Sequence, residues 1–456
     1  MNIKSYFIKK TSLLISSFFL TLSSVLILFV YLKYRISSEE FFFGYYFKYF
    51  ITTFLFLIFS IIIIFLKREH KINIFLSFVS LLFIIYSIET FLFKTHLLDK
   101  PKFQKKMIEL INKNKTDFDF RSEIQSYIDY KKKDPLTVKS VVPKSFLFEK
   151  NQKIFPLSGI SSSKTLMCNE NGYYVSYFSD EYGFRNPKDV WKNRENEIVI
   201  IGDSFAHGAC VNDKDTITGN LKRLLKTKKI INLGFGGNGP LIEYALTREY
   251  LPLIKPKKLL WIYYEQNDLL DLSNELKNEI LNNYLVDKNF NQDLINKKLE
   301  LDIKLKNKLD ELFKSKLSYL SILKLKNIRR LTIDNISNVK KEKVKLDELP
   351  LWELKTILEE VKFLLDEKNI EFYFVYIPEY KRSLENIFDD KELNNYSQVI
   401  DIVKKLNINL IDINELIFKD LNDPLSFYPF RSYGHFNELG YRIISEKIFE
   451  YLAEKS

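Results

Sequence analysis

Ile198-Val-Ile-Ile-Gly-Asp-Ser-Phe-Ala-His-Gly208 is the segment from which the architecture of this chain can be inferred. Its four apolar, mostly β-branched residues predict a buried parallel strand, and Gly202-Asp203-Ser204 follows at the carboxyl end, where ligands bind in open α/β sheets. A glycine there permits a tight bend, and the helix that follows supplies backbone N–H groups beside the serine hydroxyl. Ser204 is therefore a candidate nucleophile, and the alternative is the N-cap of an ordinary helix.

Strand and helix patterns alternate through the rest of this region, as a doubly wound parallel sheet requires. We expect an α/β/α, flavodoxin-like domain with a five-stranded parallel sheet. The strands are predicted at 198–201, 229–234, 259–264, 371–377 and 408–413, with helices near 218–226, 243–250 and 351–367.

Three apolar runs, at 12–32, 49–66 and 72–93, precede this domain. Each is long enough to cross a bilayer, and Glu89 is the one charged residue within them. A cleaved signal peptide is the alternative for the first run, but its apolar core is longer than usual and no small-x-small site follows it. The lysines before the first run and the basic loop 67–71 are expected to stay cytoplasmic, so three spans place everything after the third outside.

Four regions follow from these patterns. They are a three-helix transmembrane anchor at 1–95, a juxtamembrane tether at 96–140, an extended β-like layer at 141–197 packed on the catalytic domain, and the catalytic domain at 198–456 with a helical insertion at about 272–350.

The formal net charge of +11 does not indicate a nucleic-acid partner. Ten basic and four acidic residues lie in 1–95, where membrane topology explains the excess, and the remainder of the chain is nearly balanced. The basic excess of the insertion 272–350 is typical of a solvated helical face, and attraction of an anionic glycan or lipid headgroup is the alternative.

Only two of the four histidines suit the chemistry of a general base, because His70 is expected in the cytoplasm and His96 beside the membrane. His207 lies three residues after Ser204 on the same turn and is expected to face sideways. His435 lies just ahead of a terminal helix and can reach Ser204 across the rim of the sheet.

Four blocks in order resemble the SGNH/GDSL hydrolase superfamily: Gly202-Asp203-Ser204, Asn232-x-Gly-x-x-Gly237, Asn267-Asp268 and His435. The resemblance covers about 198–445 and implies Ser204 as nucleophile and His435 as general base. It also implies an oxyanion hole made by the N–H groups of Ser204 and Gly237 and the side-chain amide of Asn267. The stretches Cys168-Asn-Glu-Asn-Gly172 and Asp180-Glu-Tyr-Gly-Phe-Arg-Asn-Pro187 look like a bacterial membrane-anchored subgroup. No metal or cofactor is expected.

Two residues depart from the family pattern. Gln266 stands where the third block commonly has glycine, and Ser432 stands where an aspartate precedes the catalytic histidine by three residues. A Ser–His dyad remains workable if His435 is oriented by a backbone carbonyl or by Asp423 on the same loop. A retained fold without catalysis is the alternative.

The only cysteines, Cys168 and Cys210, both fall in the part expected outside the cytoplasm, where disulfides persist. A bond between them would pin the β-like layer to the rim beside Ser204. Two buried thiols are the alternative, because pairing is not determined by spacing.

These features together predict a membrane-anchored serine esterase or acyltransferase at the outer side of the cytoplasmic membrane. Its substrate would be an acyl ester, for example an O-acetyl group, on an envelope glycan. A lipid ester or thioester is the alternative substrate, and a non-catalytic glycan-binding or assembly protein is the alternative from another class.

Overall fold

The computed structural model of this 456-residue chain describes residues 3–36, 43–95, 105–113, 117–192, 195–336 and 349–455. Residues 37–42 between the first two apolar runs, the start of the tether at 96–104 and His96 lie outside these residues. The chain divides into two compact units: Met1–Thr95 with Tyr319–Asn335, and His96–Ser318 with Ile336–Ser456.

The first unit is built on three long helices, α1 (Ile3–Ile36), α2 (Phe43–Phe65) and α3 (Arg68–Thr95). All three are long and apolar enough to cross a membrane, which confirms the prediction of three spans. Large apolar side chains such as Phe54 and Phe83 are exposed along them. Such a surface suits a lipid environment and would be unfavourable in water.

Glu89, the charged residue of the third span, caps a helix of the same unit. Its carboxylate is fully buried and accepts hydrogen bonds from the backbone N–H groups of Asn327 (3.0 Å) and Ile328 (2.8 Å), at the start of the helix Lys326–Ile336. The first N–H groups of a helix have no partner within it, so a carboxylate there is stabilised. This contact explains why an acid is tolerated near the end of the span.

The second unit begins with a layer of short elements: α4 (Lys105–Lys113), α5 (Glu123–Lys133), β1 (Thr137–Lys139), β2 (Lys164–Leu166) and β3 (Ser176–Phe178). Strand β2 pairs in parallel with β1 and antiparallel with β3. Most of the residues between these strands are irregular, so hydrogen bonds and loop contacts hold the layer. Asn186, for example, donates to Asp180 (2.9 Å) and to the carbonyl of Asn232 (2.8 Å) in the neighbouring sheet.

The five-stranded sheet has the order β5-β4-β6-β7-β8 with every pair parallel, as predicted. Its strands are β4 (Glu195–Gly202), β5 (Ile230–Asn232), β6 (Lys255–Tyr264), β7 (Glu371–Ile377) and β8 (Asn409–Asp412). Side chains on both faces are buried, Ile200 and Trp261 completely. Near-continuous apolar strands are expected when helices cover both faces of a parallel sheet.

The helices that follow are α6 (Ser204–His207), α7 (Ile217–Leu224), α8 (Pro240–Tyr250), α9 (Asp268–Glu275), α10 (Glu279–Val286), α11 (Lys298–Leu317), α12 (Leu320–Leu323), α13 (Lys326–Ile336), α14 (Leu351–Asp366), α15 (Tyr380–Glu385), α16 (Tyr396–Lys405), α17 (Ile413–Leu416) and α18 (Glu438–Glu454). One core joins α8, α14 and α16 to the sheet, and a second joins α7 and α18 to its other face. The α/β/α prediction is confirmed. All strands of the sheet end at one rim, which positions the candidate site.

Candidate active site

The turn after β4 holds Ser204 in a geometry that needs the preceding glycine. Gly202 has a φ of +144°, and a Cβ there would lie 2.5 Å from the carbonyl oxygen of Ile262. Asp203 caps α6 by accepting a hydrogen bond from the backbone N–H of Phe205 at 2.8 Å. Burial raises the pKa of the Asp203 carboxyl to about 6. The turn therefore fixes the serine between a buried cap and the start of a helix.

His435 reaches Ser204 across the rim, with its Nε2 atom 2.8 Å from the serine Oγ. On its other side, Nδ1 lies 3.0 Å from the Oε1 atom of Glu170. A carboxylate only accepts hydrogen bonds, so Nδ1 carries the proton and Nε2 presents its lone pair to the serine hydroxyl. This is the tautomer that a general base for Ser204 requires.

Glu170 is the residue that sequence reasoning missed. Its second oxygen accepts a hydrogen bond from the backbone N–H of His435 at 2.7 Å, so both carboxylate oxygens are directed to the histidine. Gly434 makes this approach possible, because a Cβ at that position would come within 2.7 Å of the carboxylate. The sequence signal for Glu170 is the stretch Cys168-Asn-Glu-Asn-Gly172. In this stretch an acid lies two residues after a cysteine that a disulfide would place at the rim.

The His435–Glu170 pair shifts the pKa of both partners. Burial lowers the pKa of the His435 imidazole, but the charge and hydrogen bond of Glu170 outweigh burial and raise it above the usual value. Burial likewise raises the pKa of the Glu170 carboxyl, and the charge and hydrogen bonds of His435 outweigh it and lower that pKa. Glu170 is therefore ionised at neutral pH and stabilises a protonated imidazole.

Asp423, which we considered beside a backbone carbonyl as a group that could orient His435, is instead paired with another side chain. The carboxylate pairs with the guanidinium of Arg431, with a 2.7 Å contact between Oδ2 and Nη1. The pair is largely solvent-exposed, and Arg431 holds the pKa of the carboxyl below its usual range. Ser432, at the position where the family has an aspartate, donates its hydroxyl to the carbonyl of Phe430 at 3.3 Å.

The glycine-rich loop after β5 packs against the nucleophile turn. A Cβ at Gly236 would lie 3.9 Å from the Cβ of Ser204. Gly237 has a φ of +76°, and the side chain of Lys144 lies so close that a Cβ would approach it to 2.8 Å. Within the described ranges, the backbone N–H groups of Ser204 and Gly237 donate to no other group. Both are thus available as donors at the rim.

Asn267 follows β6 at the same rim, and its amide is oriented by Asp271 one helical turn later. Nδ2 donates to the Oδ2 atom of Asp271 at 2.8 Å, which leaves its second hydrogen for another acceptor. Lys144 lies 3.7 Å from the other oxygen of Asp271. The structure thus fixes which way the Asn267 amide is turned.

The second candidate histidine, His207, supports the loop and does not face Ser204. Its Nδ1 atom accepts a hydrogen bond from the backbone N–H of Gly236 at 3.3 Å, and Nε2 lies 3.1 Å from the hydroxyl of Tyr177. Burial, with the charge of Arg185, lowers the pKa of this imidazole well below its usual value. His207 is therefore neutral and holds the glycine-rich loop in place.

Cys168 and Cys210 form a disulfide, as predicted, with their Cα atoms 5.2 Å apart. The Cys210 sulfur, a carboxylate oxygen of Glu170 and a ring nitrogen of His435 lie within 4.8 Å of one another. Such a trio would resemble a metal site if the sulfur were a free thiolate, but it is bonded to Cys168. The disulfide instead lies directly beside the Glu170–His435 pair.

Among solved structures, the chain is similar to a lipolytic protein of the G-D-S-L family from Desulfitobacterium hafniense DCB-2, at 12% identity over 57% of this chain and 99% of that chain, with a TM-score of 0.31. It is also similar to the lipase/acylhydrolase from Enterococcus faecalis, at 14% identity over 57% and 96% of the two chains, with a TM-score of 0.32. A catalytic mutant of an acetylxylan esterase from Geobacillus stearothermophilus matches at 14% identity over 56% and 93%, with a TM-score of 0.30. Neither a protein-family model nor a curated protein matches the chain.

The sequence blocks quoted for the resemblance come together in the fold. Ser204 and Asn267 follow two adjacent strands of a five-stranded parallel sheet, and the glycine-rich loop follows a third. His435 comes from beyond the last strand and contacts the serine. The blocks on which the SGNH/GDSL resemblance rests thus lie in the expected order on one rim of the sheet.

Proposed function

We propose that this chain is a membrane-anchored ester hydrolase whose catalytic residues are Ser204, His435 and Glu170. One observation carries the proposal: a continuous hydrogen-bonded line runs from the serine Oγ to Nε2 of His435 (2.8 Å) and from Nδ1 to Glu170 (3.0 Å). Nucleophile, base and orienting acid in this relation are the arrangement that activates a serine for acyl transfer.

In the first half of the reaction, His435 removes the hydroxyl proton of Ser204 while the serine Oγ bonds to the carbonyl carbon of the ester. The carbonyl oxygen becomes an oxyanion, and the imidazolium is stabilised by Glu170. The C–O bond to the leaving alcohol then breaks, and His435 gives its proton to the alcohol oxygen. An acyl group remains on Ser204.

The oxyanion would be held by the backbone N–H groups of Ser204 and Gly237 and by the free hydrogen of the Asn267 amide. The support is that both backbone donors have no acceptor within the described ranges, and that Asp271 holds the amide. Donors fixed before the reaction stabilise developing charge without reorganisation, and this is commonly the largest electrostatic contribution to such catalysis.

In the second half, an acceptor hydroxyl loses a proton to His435 and attacks the acyl carbon. The bond between that carbon and the serine Oγ then breaks, and His435 returns the proton to Oγ. Water gives hydrolysis and a sugar hydroxyl gives transfer, so the same residues serve either reaction. We infer acyl esters of an envelope glycan, for example O-acetyl groups, as the substrate class. The SGNH/GDSL resemblance and the location proposed below, outside the cytoplasm, are the grounds for this class.

We further propose that the catalytic unit lies outside the cytoplasm. The positive loops beside the three apolar helices favour this orientation. The disulfide adds independent support, because such bonds persist in oxidising compartments and are rare in the cytosol.

The test uses the full chain in detergent micelles with a fluorophosphonate probe, acetylated xylan and a long-chain lipid ester. Labelling and acetate release that both disappear in Ser204→Ala, with slow or no cleavage of the lipid ester, would support the proposal. Equal labelling of the wild type and Ser204→Ala would contradict the catalytic assignment and favour a non-catalytic glycan-binding protein. Preferential cleavage of the lipid ester would contradict the glycan substrate.

A further inference from the structure

A cavity of about 420 Å³ lies away from Ser204, between the Asp180–Pro187 stretch and α7. Its lining contains neither the triad residues nor the oxyanion donors. Its charged and polar walls come from Arg185, Lys188, Asp213, Lys214, Thr218 and Lys222. The volume is within the usual range for small-molecule sites, about 300–1,000 Å³.

The charge of this cavity is strongly positive. Four cationic side chains line it and Asp213 is the one acidic residue among its lining. That acid is already used, because its Oδ1 atom accepts a hydrogen bond from Nε of Arg185 at 2.7 Å. No acid of the lining therefore forms an ion pair with the three lysines. Of these, Lys188 and Lys214 are exposed and Lys222 is partly buried.

Within the described part of the chain, the ammonium groups of Lys188, Lys214 and Lys222 form no hydrogen bond and no ion pair within 4 Å. Lys222 is partly buried, and burial lowers the pKa of its amine despite the attraction of Asp213. Lys214 has Asp215 as a nearby opposite charge, but that acid does not line the cavity. A partly desolvated cation without a partner is unfavourable, and an anionic ligand would relieve it.

One neutral feature of the cavity suits a sugar better than a bare ion. The phenyl ring of Phe178, at its rim, is 66% exposed and offers a flat apolar face. A binding site that combines one apolar face with a few convergent polar groups is typical of organic ligands.

Arg185 links this cavity to the nucleophile turn. Its guanidinium donates to the carbonyls of Gly208 (2.7 Å) and Val211 (2.8 Å), immediately after α6, while Nε contacts Asp213 in the cavity. A ligand in the cavity would therefore contact a side chain that holds the segment following Ser204.

We propose that this cavity binds an anionic sugar residue of the substrate glycan, whose charge is a carboxylate or a phosphate. The lysines would neutralise the anion, and Phe178 would contact the ring. The inference rests on the proposed function in one respect, since it specifies the class of glycan, but binding itself needs no catalysis.

The test measures binding by calorimetry to the full-length Ser204→Ala chain in detergent, so that no turnover interferes. The probes are trigalacturonic acid with its methyl ester, mannose 6-phosphate with mannose, and inorganic phosphate. We expect at least one charged sugar to bind roughly tenfold more tightly than its neutral partner. Lys222→Gln and Lys214→Gln should each weaken that binding about fivefold or more. Lys228→Gln, an exposed lysine outside the cavity, should not.

Equal affinity for the charged and neutral sugars would overturn the proposal, as would unchanged binding in both cavity variants. Inorganic phosphate binding as tightly as either charged sugar would overturn the sugar part, because it would show an anion site alone. Hydrolysis of 4-nitrophenyl acetate by the chain with Ser204 intact and Lys222→Gln should equal that of the wild type. Loss of glycan binding with this activity retained therefore separates failure of the cavity from failure of the triad.

Discussion

Ser204 and Glu170 contact the same histidine, but two different regions of the molecule hold them. Ser204 follows a central strand whose apolar residues are completely buried, so its position is set by the core of the sheet domain. Glu170 lies in an irregular loop between β2 and β3, two residues from a disulfide. Its neighbour Asn171 donates to the carbonyl of Cys210 at 2.9 Å.

The difference indicates that the serine and the acid have different vulnerabilities. Displacing the serine requires disruption of a packed core, where removal of one large apolar side chain costs about 2–5 kcal/mol. Displacing the acid requires only the loss of a cross-link and a few hydrogen bonds. Ser204, whose position is set by the sheet, should thus be needed for any activity. The position of Glu170, which the irregular layer holds, should be more sensitive to loss of the disulfide.

The largest loss of activity should follow substitution of Ser204 or of His435, which contacts it. Ser204→Ala and His435→Ala should each lower kcat for 4-nitrophenyl acetate by about 10⁴–10⁶, and the double variant should cost little more than either alone. Residues that act as one unit give such non-additive losses. Steady-state kinetics on matched preparations checks this, and additive losses would show that the two residues act separately.

Asn267→Ala should have a smaller effect, a loss of about 10²–10³ in kcat with little change in KM. The amide is expected to meet the oxyanion, which exists in the transition state and not in the bound ester. Asp271→Asn is the informative companion, because it weakens the contact that orients the amide while leaving Asn267 in place. A KM effect alone in Asn267→Ala would argue against an oxyanion role.

Reduction of Cys168–Cys210 should have the smallest effect of the three, a loss of up to about 10²-fold in kcat/KM. The bond holds the loop that carries Glu170, and small misplacements of catalytic groups are costly. The measurement is turnover before and after dithiothreitol, with thiols counted and the double variant Cys168→Ser, Cys210→Ser as a second route. Full activity in a chain with two free thiols would show that the layer holds Glu170 without the cross-link.

Ser204, Gly237 and Asn267 could be predicted from the sequence because each follows a recognisable strand. A run of four apolar residues before Gly202 fixes the turn, and parallel strands bring the ends of β4, β5 and β6 to one rim. The three spans were predictable for a similar reason, since length and hydropathy alone decide them.

The acid could not be predicted in this way, because no periodicity links Glu170 to His435 across 265 residues of sequence. Its position depends on an irregular loop, on Gly434 and on a disulfide whose pairing spacing does not determine. Asp423 was the reasonable expectation from proximity in sequence. Arg431, on the same loop, removes it from the site by a direct ion pair.

We propose that the acid that orients His435 comes from the layer of β1, β2 and β3 and not from the loop that carries His435. The most direct test is the pH dependence of kcat/KM for the wild type, Glu170→Gln and Asp423→Asn. The carboxylate of Glu170 holds the pKa of His435 above its usual value, and burial alone would lower it. Glu170→Gln should therefore lose about 10³–10⁴ in rate and show its acid limb, where the imidazole must be deprotonated, at lower pH.

Asp423→Asn is the matched control, and its exposed pair with Arg431 should be worth little to activity or stability. We expect a profile identical to the wild type for this variant and a slower profile, shifted to lower pH, for Glu170→Gln. A wild-type profile in Glu170→Gln, together with a large loss in Asp423→Asn, would contradict the assignment of Glu170.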